Sequence, residues 1–65
     1  MKTSFTVMII DDEPSGINTL RKLLQINCPE ITVVGTCTNA DNAIQMIRDL
    51  KPEILFLDII FELIN

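Results

Sequence analysis

Apolar residues fall along this chain in three short runs separated by two spaced stripes. Val7-Met8-Ile9-Ile10 runs into Asp11, Asp12 and Glu13, and Ile54-Leu55-Phe56-Leu57 runs into Asp58. Between them lies Ile31 to Cys37, rich in β-branched residues and carrying Gly35 near its end. Short apolar runs of this kind are the signature of strands buried on both faces. The stripes have helical spacing: Ile17, Leu20 and Leu24 with Leu23 in the first, Ala43, Met46, Ile47 and Leu50 in the second. Pro14 suits the first turn of the first helix, where its missing N–H costs nothing, and Asn27-Cys28-Pro29 ends it. Thr38-Asn39-Ala40-Asp41 has the spacing of a capping box, with Asp in place of the more usual Glu or Gln, and Lys51-Pro52 closes the second helix. The predicted order is strand (Phe5 to Ile10), helix, strand, helix, strand (introduced by Glu53), with no linker, repeat or low-complexity segment.

Strands that alternate with helices pair in parallel through right-handed crossovers. If the second strand lies on one side of the first and the third returns to the other, the order is 2-1-3 and the two helices cover opposite faces. The gap between strands one and three is then a topological switch point, where an α/β sheet opens a ligand crevice beyond its carboxyl ends. The order 1-2-3 would separate the acids and leave one face bare.

In the 2-1-3 arrangement Asp11, Asp12 and Asp58 converge on one acidic pocket. A single aspartate that stops a strand is ordinarily just solvated in a turn. Two apolar strands ending alike, one with a doubled acid, point instead to a shared site. Like charges held close repel, and a divalent cation relieves them. Oxygen ligands alone favour magnesium over zinc.

Sixty-five residues allow one small domain, which buries only about 60% of the surface its unfolded chain exposes. With a positive mean hydropathy, such a domain is expected to leave apolar surface for a partner, a second copy of itself first among them. The net charge is −4 and the five basic residues are scattered, which argues against nucleic acid or an anionic membrane as a partner of this segment. Cys28 and Cys37 show no CxxC spacing and there is no histidine to join them at a metal, so reduced thiols and a cytoplasmic location are expected. The apolar stretch near the N-terminus is cut short by Asp11, too short for a signal peptide or a membrane span.

Three segments carry a resemblance: Val7-Met8-Ile9-Ile10-Asp11-Asp12-Glu13-Pro14, Leu20-Arg21-Lys22-Leu23-Leu24, and Lys51-Pro52-Glu53-Ile54-Leu55-Phe56-Leu57-Asp58-Ile59. Together they resemble the receiver domain of two-component response regulators, in wording closest to regulators with a LytTR-type DNA-binding output domain. The resemblance covers nearly the whole chain. It implies that residues 1–65 form a partial receiver domain with a truncated flavodoxin-like α/β fold, sheet order 2-1-3 and one helix on each face. It also implies that Asp58 is the phosphoacceptor, taking a phosphoryl group from a phosphohistidine on a sensor histidine kinase. Asp12, supported by Asp11, is implied to hold Mg²⁺ with Asp58, and the backbone carbonyl of Ile60 is the implied third protein contact. A phosphoacceptor of this kind is a signalling component and not an enzyme in its own right. DNA would be met only through an output domain outside these residues.

The chain also departs from the family. After the phosphoacceptor the family continues through a Met-Pro loop and a glycine to a helix beginning much like Phe61-Glu62-Leu63. Here about half a dozen residues of that pattern are missing, in a loop of the kind that tolerates deletion. The fourth and fifth strands, the switch Ser or Thr and the Lys that contacts the phosphoryl group are not found in these 65 residues, and none of Lys2, Lys22 or Lys51 stands where that Lys should. A second reading follows: a receiver fragment that associates through the run Ile54 to Ile64, without phosphotransfer. Two other readings fail. A dinucleotide site needs a glycine-rich turn after the first strand, where this chain has only Gly16. A haloacid-dehalogenase-type phosphatase resembles the Asp58 segment but has a second Asp where this chain has Ile60.

Overall fold

Four consecutive residues of the first strand are almost wholly withdrawn from water, and the rest of the fold is arranged around them. In a computed structural model, which describes residues 3–58, β1 (Phe5–Asp11) is followed by α1 (Pro14–Asn27), β2 (Ile31–Cys37), α2 (Ala40–Leu50) and β3 (Ile54–Asp58). Val7, Met8, Ile9 and Ile10 are 0–2% exposed. Side chains of a strand point alternately to its two faces, so this run needs cover on both. Val7 and Ile9 pack with Ile17 and Leu24 of α1, while Met8 and Ile10 pack with Cys37 and with Ala43 of α2.

The sheet is parallel with β1 in the middle, in the order β2-β1-β3. This is the truncated flavodoxin-like arrangement expected from the alternating pattern, with one helix on each face. Pairing of β1 with β2 runs from Phe5↔Ile31 to Val7↔Val33 and resumes at Met8↔Gly35, so Val34 is an extra, bulged residue. Gly35 lies directly beneath α2. A Cβ there would stand 2.5 Å from Leu50 Cδ1 and 3.3 Å from Met46 Cε, so the bare backbone lets the helix settle onto the strand.

Pro14 opens α1 as its composition predicts, and the Cys28 N–H closes it by donating to Leu24 O at 2.8 Å. The start of α2 differs by one residue from the capping-box expectation. Asn39, not Thr38, is the cap: its Oδ1 accepts from Asn42 N at 2.9 Å. Asn is among the strongest N-caps, and the Cys37 thiol donates to the Asn39 carbonyl at 2.9 Å, tying the cap to the end of β2. Asp41 then sits in the first turn, where the helix dipole favours an acid. Replacing Asn39 by Ala is expected to cost about 1 kcal/mol, a fall of roughly 4–8 °C in Tm for a domain this small, measurable by thermal unfolding followed by circular dichroism. At the other end Lys51 adopts the left-handed conformation, φ 48°, and Pro52 prevents further helix.

β3 enters beside β1 through a double latch. Glu53 N donates to Thr6 O at 3.0 Å and to Thr6 Oγ1 at 3.1 Å, and Glu53 Oε1 accepts from Thr6 N at 3.0 Å. The register then runs Val7↔Ile54 to Asp11↔Asp58. Beyond Ile54, which packs against the α1-side core, the strand is poorly covered: Leu55, Phe56 and Leu57 are 46, 36 and 60% exposed. Among the described residues no helix is long and apolar enough to cross a membrane.

Candidate functional site

The carboxyl ends of β1 and β3 meet at a pair of aspartates. Asp11 and Asp58 are register partners on adjacent parallel strands, which run about 4.8 Å apart. Alternation along β1 puts Asp11 on the same face as Val7 and Ile9, the face covered by α1. Residues paired in register point the same way, so Asp58 shares that face. The two strands lie on either side of the switch point of the 2-1-3 order, where the crevice rule places a ligand.

An open cleft of about 430 Å³ occupies this position, floored by Ile9, Leu20 and Phe56 and edged by Asp11, Glu13, Ser15, Gly16 and Asp58. The start of α1 fixes the geometry of its acidic end. Asp11 Oδ1 accepts from Glu13 N at 2.9 Å, and the helix begins one residue later at Pro14. Ser15 and Gly16 therefore fall in the first turn, beside the acids. Their part in the cleft was not assigned from sequence, although Pro14 at the first helical position is the signal that puts them there.

Of the residues singled out by sequence, Asp11 and Asp58 are brought together. Asp12 is exposed and adjoins the site without lining the cleft. Ile60 lies outside the described residues, as does Lys2. Lys22 and Lys51 are exposed, and no lysine among the described residues lines the cleft. Leu23, counted in the apolar stripe of α1, is about half exposed and borders the cleft.

The donors are carboxylate and hydroxyl oxygens, which suit a hard cation. Mg²⁺ keeps several waters and takes one or two protein carboxylates, so Asp58 with an acid from the end of β1 meets its needs. Among the described residues no three acidic, cysteine or histidine side chains are already gathered as an ion-holding set. Cys28 is half-buried and Cys37 buried, and both are free thiols.

Comparison with known proteins locates the family. No family model matches the chain and no solved structure matches it. It is 49% identical over 53 residues to the transcriptional regulatory protein BtsR of Salmonella typhi, a match covering 82% of this chain and 22% of that protein. Over 59 residues it is 37% identical to a protein-glutamate methylesterase/protein-glutamine glutaminase of Bacillus licheniformis, covering 91% of this chain and 16% of the other. Over 54 residues it is 33% identical to the nitrate/nitrite response regulator protein NarL of Escherichia coli strain K12, covering 83% and 24%. The chain thus spans about a fifth of the length of the curated relatives it matches. Its parallel 2-1-3 sheet, its paired acid-ended strands and these relatives agree, and the chain belongs to the receiver domains of response regulators.

Proposed function

We propose that Asp58 is the phosphoacceptor of a two-component phosphorelay, taking its phosphoryl group from a phosphohistidine on a sensor histidine kinase in the cytoplasm. The observation that carries this reading is the register pairing of Asp11 with Asp58 at the mouth of one cleft. In the transfer a carboxylate oxygen of Asp58 attacks phosphorus, the P–N bond to the imidazole breaks, and the ring nitrogen leaves with the bonding pair. An acyl phosphate results. Asp58 with Asp12, supported by Asp11, would hold magnesium, which would supply charge neutralisation on the phosphoryl oxygens. The chain's own part is to hold the nucleophile at a strand end, exposed to a partner and backed by a rigid sheet. The Ile60 carbonyl would complete the protein contacts, as the resemblance implies. The protein acts as the kinase's substrate and not as an enzyme, and transcriptional output belongs to a further, LytTR-type domain of a longer protein. Incubation with acetyl phosphate and MgCl₂ followed by intact-mass measurement tests the assignment.

One observation favours a second reading, association between copies. β3 is bonded to β1 on one side only among the described residues, and Leu55, Phe56 and Leu57 are exposed along it. An apolar strand edge of this kind is a template for another strand, and a second copy offers the same edge about a twofold axis. At 60% exposure Leu57 is not a core residue, so Leu57→Lys tests the edge without emptying the interior. Sedimentation at micromolar concentration is expected to show association in the unaltered chain and a folded monomer in Leu57→Lys. A monomeric unaltered chain would refute the reading.

A further inference from the structure

The cleft beside the acids has a counterpart on the other side of α1. This second opening, of about 410 Å³, lies between Arg21, Leu24 and Gln25 of α1 and Ile31, Thr32 and Val33 of β2. Among the described residues β2 has a sheet neighbour on one side only, so one wall of the opening is a strand edge. The direction of its backbone follows from one bond. Phe5 N donates to Glu30 O at 2.8 Å, and Phe5 is the register partner of Ile31. In a parallel ladder successive residues turn their N–H and C=O groups to opposite sides. Glu30 and Thr32 therefore face β1, and Ile31 and Val33 face away from it. The Ile31 N–H is taken by Cys28 O at 3.0 Å, which leaves the Ile31 carbonyl and both backbone groups of Val33 along the edge.

The side chains fit that edge to a particular ligand. Ile31 and Val33 pack against the α1-side core, so the floor is apolar. Above it Arg21 and Gln25 stand one helical turn apart, and both are exposed. No acidic residue lines this cleft to answer the guanidinium, whereas the first cleft is edged by Asp11, Glu13 and Asp58 and by no base. We propose that the α1–β2 cleft binds an extended peptide carrying a carboxylate side chain, which adds to the β2 edge through Val33 and meets Arg21 through its carboxylate. Side chains of an added strand alternate between the faces of the sheet, so every second one turns towards α1, and a carboxylate there reaches the guanidinium with the Gln25 amide beside it. The extra residue at Val34 interrupts the edge beyond Val33. The bonded stretch is therefore short, and the carboxylate supplies the specificity. A chain of net charge −4 repels a strongly acidic peptide, so a single carboxylate among β-branched residues fits best.

The test is ¹⁵N NMR of the full chain titrated with the peptide acetyl-Thr-Val-Glu-Val-Thr-amide and with its Gln counterpart. The Val33 amide is expected to move downfield with the Glu peptide. Binding should be about tenfold weaker for the Gln peptide, and likewise for the Glu peptide on Arg21→Gln, as the loss of a charge-assisted bond implies. Arg21 is exposed and belongs to neither core cluster, so the variant keeps its fold, which its own spectrum verifies. A Val33 amide unmoved at millimolar peptide overturns the proposal. Equal binding of the two peptides, or unchanged binding by Arg21→Gln, overturns the role of the guanidinium. Sodium acetate that reproduces the whole response overturns strand addition. If the Val33 amide moves with the concentration of the chain itself, and sedimentation shows an association that Leu57→Lys leaves intact, a second copy occupies the edge and the peptide assignment falls.

Discussion

Asp58→Asn is expected to abolish the phosphoryl adduct that acetyl phosphate forms on the unaltered chain in the presence of Mg²⁺. An amide lacks the anionic oxygen that attacks phosphorus, and it also weakens the hold on the cation. The fold should survive, because Asp58 is exposed at the end of an edge strand and contributes nothing to either core cluster. Intact mass reads the adduct and circular dichroism reads the fold. Two further variants give the test resolution. Asp12→Asn should lower the yield more than Asp11→Asn, because the Asp11 carboxylate is seated on the Glu13 amide. An adduct that persists in Asp58→Asn would remove Asp58 from its proposed role, whatever the other variants do.

Ile9→Ala should do the greatest damage to the fold. Ile9 is 1% exposed at the centre of the cluster that joins β1 to α1. Truncating a fully buried isoleucine to alanine costs about 2–5 kcal/mol through lost burial and the cavity left behind. A domain of this length has a total stability of only roughly 3–10 kcal/mol at about 0.05–0.15 kcal/mol per residue. The variant is therefore expected to lose about half of that stability, while Ile9→Val, at about 0.5–1.5 kcal/mol, loses far less. Urea titration distinguishes them. A midpoint for Ile9→Ala close to that of the unaltered chain would mean that this cluster is not the stabilising centre.

The strand and helix order was legible because burial leaves a direct mark on composition. Val7 to Ile10 had to be apolar throughout to be covered on both faces, and helices on opposite sides go with the 2-1-3 order, which the two acid-ended strands favoured over 1-2-3. The pairing of Asp11 with Asp58 followed from it. What remained hidden depends on atoms and not on pattern. Thr38 and Asn39 are both good caps one residue apart, and only the atomic placement shows Asn39 Oδ1 accepting from Asn42 N while the Cys37 thiol donates to the Asn39 carbonyl. Ile54 to Leu57 reads like the other buried strands, but in these residues it has a neighbour on one side only, so its apolar character does not translate into burial. The Asp11 carboxylate lies over Gly16, where a Cβ would stand 3.0 Å from its Cγ, and this leaves no periodic trace at all, since one glycine in a first turn looks like any other.

The latch between Thr6 and Glu53 joins residues 47 positions apart, and this separation sets an order of events in folding. β1 leaves the ribosome first, yet its second neighbour does not exist until almost all of the described chain has been made. Closing so long a loop is entropically slow, and parallel pairings of this kind reward the chain only after the loop has closed. The pairing of β1 with β2, the helix between them included, closes the shorter circuit. Among the described residues the same asymmetry bears on opening: β3 is held to β1 by five register pairs against six for β2 and leaves Leu55, Phe56 and Leu57 exposed, so the strand bearing Asp58 is expected to open at lower cost than the pairing of β1 with β2.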